Sequence, residues 1–280
     1  MKPILIIDSH YLCYRAMFSM GDLSYDEKPT GVVFGFLNQI LQIAIKFDYP
    51  QFVFAWDSKR SYRRDVYPNY KQKDKEITQD MLELLGVSKP QFSTIRTQIL
   101  PRIGFVNNFI QTGLEADDII AMIGREAYHK EVYIVSADND LYQLLLPTIS
   151  LYDPKKKTIY GFHDFFKEWG VLPRDWPEIK ALAGCGGDNV KGIPGIGEKT
   201  AIKWFKGTLK GKKAVLISQN SERMFTINLP LVSLPHKNTK TIKLLKDEFS
   251  FKCFEDICLE YGFRSFLKKG VYEKWQKILA

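Results

Sequence analysis

The sequence predicts an α/β fold with a central, mostly parallel sheet flanked by helices. Three observations carry this expectation. Short apolar runs rich in β-branched and aromatic residues occupy 4–8, 52–57 and 132–138, and each ends in an aspartate, Asp8, Asp57 and Asp138. Longer segments with helical spacing, such as 33–47 and 117–128, lie between them. The chain has 280 residues, 45% of them apolar and 26% charged, which supports a sizeable buried core and excludes a disordered or collagen-like chain.

The first run, Ile4-Leu5-Ile6-Ile7, is continuous rather than alternating, as expected of a parallel strand covered on both faces. It is too short for a signal peptide and lacks a small-residue cleavage site, and no apolar run reaches the ~18 residues of a spanning helix. The expectation is therefore a cytoplasmic protein with no membrane partner. Phe52-Val53-Phe54-Ala55-Trp56 and Val132-Tyr133-Ile134-Val135 repeat the pattern of the first strand. In open α/β sheets ligands bind beyond the carboxyl ends of the strands, so Asp8, Asp57 and Asp138 should meet at one edge. One strand-end aspartate is readily explained as a helix cap. Three of three, with further acids behind them, are not.

The further acids come from three segments. Leu114-Glu115-Ala116-Asp117-Asp118 opens a helix, and helical spacing sets Glu115 and Asp118 on one face with Asp117 beside them. The helix dipole favours one acid in a first turn, but accounts poorly for three. Asp140 stands two residues beyond Asp138, and Asp188 lies in the glycine-rich turn Gly184-Cys185-Gly186-Gly187-Asp188-Asn189. Eight carboxylates brought together would raise one another's pKa unless cations intervened, and Mg²⁺ or Mn²⁺ are the hard ions that oxygen ligands suit. The four cysteines, Cys13, Cys185, Cys253 and Cys258, lack the spacing of a zinc site and are expected to be reduced thiols.

The net charge is +8, and it is uneven: residues 201–280 hold 16 basic and 7 acidic side chains. A basic surface around a negative pit suits a phosphodiester substrate. Residues 59–75 carry Lys59, Arg60, Arg63, Arg64, Lys71, Lys73 and Lys75 interleaved with Tyr62, Tyr67 and Tyr70. Cations beside aromatic rings suit single-stranded nucleic acid, where phosphates pair and bases stack. Farther on, Gly192-Ile193-Pro194-Gly195-Ile196-Gly197-Glu198-Lys199 reads as a tight turn opening a helix, with backbone N–H groups presented to a duplex phosphate. Its G-x-x-G-x-G spacing follows no strand and is not a dinucleotide fingerprint.

In order along the chain, Ile7-Asp8 with Tyr14-Arg15-Ala16, Phe54-Ala55-Trp56-Asp57, Tyr67-Pro68-Asn69-Tyr70-Lys71, residues 113–118, Ser136-Ala137-Asp138-Asn139-Asp140, and residues 188–200 form six motifs. On these the chain resembles the flap endonuclease or 5′-nuclease family, which includes the 5′-3′ exonuclease domain of bacterial DNA polymerase I and stand-alone bacteriophage enzymes. The resemblance implies a structure-specific 5′ nuclease acting on flapped or nicked DNA in replication or repair. It implies an α/β nuclease core over 1–175, a helical arch near 59–85, and a basic helical region over 176–280 with a helix-hairpin-helix element.

It also implies residue roles. Asp8, Asp57, Glu115, Asp117 and Asp118 match carboxylates around a first metal, and Asp138, Asp140 and Asp188 those around a second. Tyr70 and Lys71 match the aromatic residue and lysine of the arch, the lysine stabilising the scissile phosphate, and Arg15 matches a basic residue near it. Lys73 is expected to contact DNA from the arch. Gly192, Gly195, Gly197 and Lys199 are expected to hold the duplex, with K⁺ at the turn. A monomer is expected.

Two positions depart from the family pattern. Cys185 stands where an aspartate is usual, three residues before Asp188, and Asp74 where an arginine is usual in the arch. A thiol is a poor ligand for Mg²⁺, so the second metal is expected to bind weakly or through water, and Cys185 itself reads as a small buried hydrophobe rather than a ligand. That leaves a rival: a DNA-structure-binding protein with weakened catalysis. A phosphatase using Asp8 as nucleophile is less suited, since it would want an aspartate where His10 stands.

Overall fold

The computed structural model describes residues 2–72 and 77–280. Lys73, Asp74 and Lys75, at the centre of the expected arch, lie outside the described residues. In chain order the elements are β1 (Ile4–Asp8), α1 (Ser9–Met20), β2 (Ser24–Tyr25), β3 (Lys28–Pro29), α2 (Gly31–Lys46), β4 (Gln51–Trp56), α3 (Tyr62–Val66), α4 (Gln79–Thr94), α5 (Leu100–Ile103), β5 (Asn108–Ile110) and α6 (Ala116–Glu126). There follow β6 (Val132–Val135), β7 (Ile149–Asp153), β8 (Thr158–Tyr160), α7 (Phe162–Trp169), α8 (Trp176–Ala183), β9 (Gly184–Cys185), β10 (Val190–Lys191), α9 (Glu198–Phe205), α10 (Lys212–Val232), α11 (Phe251–Glu260) and α12 (Lys269–Ile278). The three apolar runs are β1, β4 and β6, and the fold is α/β with mostly parallel strands flanked by helices.

The chain forms two compact units, each discontinuous in sequence. The first comprises Met1–Trp56, Lys75–Phe109 and Ile242–Ala280, the second Asp57–Asp74 and Ile110–Thr241. Residue 175, the expected edge of the nuclease core, therefore falls inside the second unit, and residues 242–280 pack into the first.

In the first unit β1 and β4 pair in parallel from Ile4 opposite Gln51 to Asp8 opposite Ala55. Ile4 to Ile7 and Phe52 to Trp56 are buried, which is why neither strand alternates. On α2 Val33, Phe36, Leu37, Ile40, Leu41 and Ala44 recur at helical spacing and are buried. Gln39 joins α2 to α1 by donating to Leu12 O at 3.0 Å and accepting from Arg15 Nε at 3.0 Å. The last residues enter this core through Phe254, Phe266 and Trp275, all buried, with Phe254 and Trp275 rings 4.6 Å apart.

In the second unit β6 pairs in parallel with β7, and β8 returns antiparallel to β7. The buried face of α6 is Ile119, Ile120 and Ile123, with Asp118 among them. Helices α8 and α9 flank a short ribbon, β9 and β10, in which Cys185 opposes Val190.

Candidate metal and phosphodiester site

Each strand-ending aspartate accepts a backbone N–H, so the capping role weighed from the sequence is real. Asp8 Oδ1 takes Tyr11 N at 3.0 Å and starts α1. Asp57 Oδ1 takes the N–H of Ala116, the first residue of α6, at 2.8 Å, while Glu115 is the cap of that helix. Asp138 Oδ1 takes Asp140 N at 2.8 Å. A carboxylate has two oxygens with roughly four lone-pair sites, so one cap bond does not preclude a ligand role.

Asp118 differs from the other acids. It is fully buried, and Arg63 binds both of its oxygens, Nη1 to Oδ2 and Nη2 to Oδ1, each at 2.7 Å. Glu115 N donates to Oδ2 at 3.1 Å and His236 N to Oδ1 at 2.8 Å. Four donors engage a group with about four acceptor sites, which sets Asp118 apart from the other expected ligands. Arg63 also donates to Leu231 O at 2.9 Å and Ser233 O at 3.3 Å. Burial opposes its charge, but the Asp118 hydrogen bonds and charge outweigh this, and its pKa stands above the ordinary value. The pair thereby ties α3, α6 and the segment after α10 into one frame.

Glu115, at the N-terminus of α6, faces two groups from the segment after α3. Tyr70 Oη lies 3.1 Å from Glu115 Oε2 and 3.4 Å from Asp188 Oδ2. Lys71 Nζ lies 3.0 Å from Glu115 Oε2 and 3.9 Å from Asp188 Oδ1. Burial works against the Lys71 ammonium, but Glu115, then Tyr70, Asp188 and Asp117, hold its pKa above the usual value. Lys71 takes a left-handed backbone, φ 53°, and its N–H donates to Asp188 O at 2.9 Å. A bulky residue adopts that conformation at a cost of roughly 1–2 kcal/mol, so the surroundings hold the lysine in place.

The Tyr70 ring is 2% exposed and packs with Ala181, Cys185, Val190, Leu231 and Val232. The ring is thus enclosed in the core, and the hydroxyl is the end that reaches the acids. Burial first, then the neighbouring acids, raise its pKa and keep it a donor.

The second acid group is Asp138, Asp140 and Asp188. Asp140, Cys185 and Asp188 offer ligand atoms within 4.8 Å of one another. The Cys185 thiol donates to Asp140 Oδ2 at 3.7 Å, and burial, then Asp140 and Asp188, push its pKa up to about 12. Burial, then Asp140, also raises the Asp138 carboxyl above its ordinary value. Asp188 is raised by burial first, and by Asp140, Glu115 and Asp138 against the opposing charge of Lys71. Mutual repulsion among crowded acids is what a bound divalent cation would relieve, so this oxygen-rich set fits Mg²⁺ or Mn²⁺.

Lys180, from α8, was not singled out from the sequence. Its side chain is 10% exposed, with Nζ 2.9 Å from Asp140 and 3.1 Å from Glu198. The available signal was a lone cation in the apolar run Ile179-Lys180-Ala181-Leu182. Arg63 was also missed as a structural partner; its signal was Asp118 on the apolar face of α6, which requires a buried cation.

In the glycine turn the residues divide. A Cβ on Gly192 would come within 2.5 Å of the Ala183 and Gly184 backbone, so this glycine serves close packing. Gly195 (φ 77°) and Gly197 are exposed, with nothing within 4 Å of an added Cβ, and Lys199 is exposed beside them. In the first unit, Arg15 on α1 pairs with Gln39 and lies 5.8 Å from the Tyr11 ring centroid.

The sequence profile described as 5′-3′ exonuclease, N-terminal resolvase-like domain, matches residues 3–170. A 5′-3′ exonuclease of Buchnera aphidicola subsp. Schizaphis graminum is 30% identical over 244 residues, covering 85% of this chain and 78% of that protein. Thermostable DNA polymerase I of Thermus thermophilus is 33% identical over 207 residues, 72% of this chain but 24% of the polymerase. The chain thus spans about a quarter of the length of the polymerase relatives it matches. A bacteriophage T5 flap endonuclease, solved with DNA and metal ions, superposes with a TM-score of 0.70 over 99% of both chains at 22% identity, a likeness of fold.

Proposed function

The chain belongs to the 5′-3′ exonuclease family, and from that premise we propose that it hydrolyses phosphodiesters near the 5′ end of flapped or nicked DNA, in replication or repair. The observation that carries this reading is Lys71 Nζ between Glu115 and Asp188, a cation held at the rim of crowded acids. A phosphodiester approaching that rim meets an ammonium ready to exchange a carboxylate partner for a phosphate oxygen.

Asp57, Glu115, Asp117, Asp138, Asp140 and Asp188 are the proposed ligands for divalent cations in the second unit. The family resemblance adds Asp8 at the end of β1. Two Mg²⁺ or Mn²⁺ ions would supply the charge that activates water and stabilises the phosphodiester oxygens. Lys71 is the proposed stabiliser of the scissile phosphate, with Arg15 a second cation for it. Tyr70 orients Glu115 and Asp188 through its hydroxyl. Asp118 with Arg63 positions the start of α6, and so Glu115, without touching a metal.

The helix-hairpin-helix assignment for α8, the ribbon and α9 belongs to the same reading. Gly195, Gly197 and Lys199 would face a duplex phosphate, Gly192 supports the turn by packing, and K⁺ is the cation for which the exposed turn is proposed. Lys73 and the arch near 59–85 would bear on the single strand. Functionally, 1–175 would carry the chemistry and 176–280 the duplex contacts. We propose that the protein works as a monomer in the cytoplasm; among the described residues no helix is long and apolar enough to cross a membrane.

One observation favours a second reading, a structure-binding protein with weakened catalysis: Cys185 and Lys180 both reduce the negative charge around Asp140. A labelled 5′ flap incubated with protein and Mg²⁺, with Mn²⁺, and with excess chelator separates the two. Cleavage that requires the cation supports the nuclease; tight binding with no cleavage in either metal refutes it.

A further inference from the structure

The proposed second cation position contains a cation of its own. Lys180 leaves α8 beside Trp176, which is 1% exposed and has its ring 6.0 Å from Nζ. The ammonium is 2.9 Å from Asp140 Oδ1, while the other Asp140 oxygen accepts the Cys185 thiol. The group that could hold an ion there thus comprises Asp140 and Asp188 with a neutral thiol between them and a positive charge against one acid.

Lys180 also has a second acceptor. Glu198, the first residue of α9, lies 3.1 Å from Nζ, with a side chain 40% exposed where Lys180 is 10% exposed. A lysine has three N–H donors on a flexible four-carbon stem, so it can give up one carboxylate while another keeps it partnered. Glu198 directly follows Gly197 of the exposed turn.

We propose that Lys180 is a resident cation of the Asp140–Cys185–Asp188 cluster, competing with divalent ions for Asp140, and that Glu198 is the acceptor that draws it away when an ion binds. The inference rests on the reading of this acid group as a divalent-cation site. Lys180 acts through Asp140 and is a positioning residue. Cys185 accounts for the arrangement: with a third carboxylate in its place, a divalent ion would outcompete one ammonium. With a thiol there, the ammonium and the ion are closely matched.

The test is Mn²⁺ binding to the full chain without DNA, read from the electron paramagnetic resonance signal of free Mn²⁺, so that cleavage plays no part. Lys180→Met should tighten the weaker site by at least about fivefold, the effect of one charge at contact distance even in bulk water. Lys180→Arg keeps the charge and should stay near wild type. Glu198→Gln should weaken the site in the wild-type background and change nothing in Lys180→Met, because its effect passes through the lysine. Lys203→Met, which removes a charge from α9, should leave the isotherm unchanged. Unaltered or weaker Mn²⁺ binding in Lys180→Met overturns the inference while leaving the cation site intact. Absence of Mn²⁺ binding in wild type, Lys180→Met and Cys185→Asp alike overturns both. If Lys180→Met does not fold, the opposed effects of Cys185→Asp, tighter, and Glu198→Gln, weaker, still decide it; equal effects in the same direction refute it.

Discussion

Replacing Arg63 by methionine keeps most of the stem but leaves Asp118 in a dry site without its counter-ion. Both residues are nearly inaccessible, 2% and 0% exposed at the side chain, and the guanidinium makes four hydrogen bonds, two to Asp118 and two to the carbonyls of Leu231 and Ser233. Removing one partner of such a pair strands a buried charge, at a cost of about 3–5 kcal/mol. A loss of that size in a chain of this length lowers Tm by roughly 6–20 °C. The variant should therefore fold in the cold and melt early by circular dichroism, and added salt should not narrow the gap, since the pair is unscreened. Asp118→Asn should also melt early, because an amide nitrogen would face an arginine donor, yet it should keep the wild-type Mn²⁺ stoichiometry. Two results would refute this account: an Arg63→Met cost below about 1 kcal/mol, the range of an exposed pair, or an Asp118→Asn chain of normal stability that has lost a Mn²⁺ ion.

Three further outcomes are expected. Lys71→Met should lower flap cleavage by roughly 10²–10³-fold, as removal of one preorganised electrostatic group does, while Mn²⁺ binding persists; unchanged turnover would exclude Lys71 from the reaction. Cys185→Asp should lower the Mg²⁺ concentration for half-maximal cleavage, and an unchanged requirement would mean that position does not act on the cation. Asp188 has a carboxyl pKa raised in the folded chain, so the folded state binds its proton more tightly than the unfolded state and loses stability as pH rises between the two pKa values. In excess chelator, thermal unfolding from about pH 4 to pH 7 should show Asp188→Asn gaining on wild type, and Mg²⁺ should restore the wild-type advantage. A constant gap across that range would contradict the repulsion on which the site assignment rests.

The strands and the acid positions were legible because they rest on local pattern. A doubly buried parallel strand reads as a continuous apolar run, and β1, β4 and β6 were visible for that reason. Asp138, Asp140 and Asp188, brought together from β6 onward and from the ribbon turn, could be grouped because chemistry recurs at strand ends. The packing of 242–280 into the first unit was not legible, since it depends on long-range aromatic contacts such as Phe105 with Phe249, 5.0 Å apart, which carry no periodicity. The cations were also misjudged. Arg63 sits among exposed arginines and lysines, and nothing local distinguishes the one that is buried from those that are not. Tyr70 was read as a stacking ring because it stands beside Lys71; its burial is set by Leu231 and Val232, far along the chain.

Charge balance links these residues. Asp118 and Arg63 neutralise one another within the frame. Six acids of the second unit remain: Asp57, Glu115, Asp117, Asp138, Asp140 and Asp188. Two ammonium groups, Lys71 and Lys180, stand against them at 3.0 and 2.9 Å. Each lysine can be displaced without being left bare: Lys71 toward a substrate phosphate, Lys180 toward Glu198. On the proposed reading, filling the site is then an exchange of monovalent for divalent positive charge at crowded acids. An aspartate at position 185 would add one more negative charge and make Lys180 a weaker competitor. On the proposed reading the cysteine changes how the site fills, and a Cys185→Asp, Lys180→Met double variant should bind Mn²⁺ more tightly than either single change.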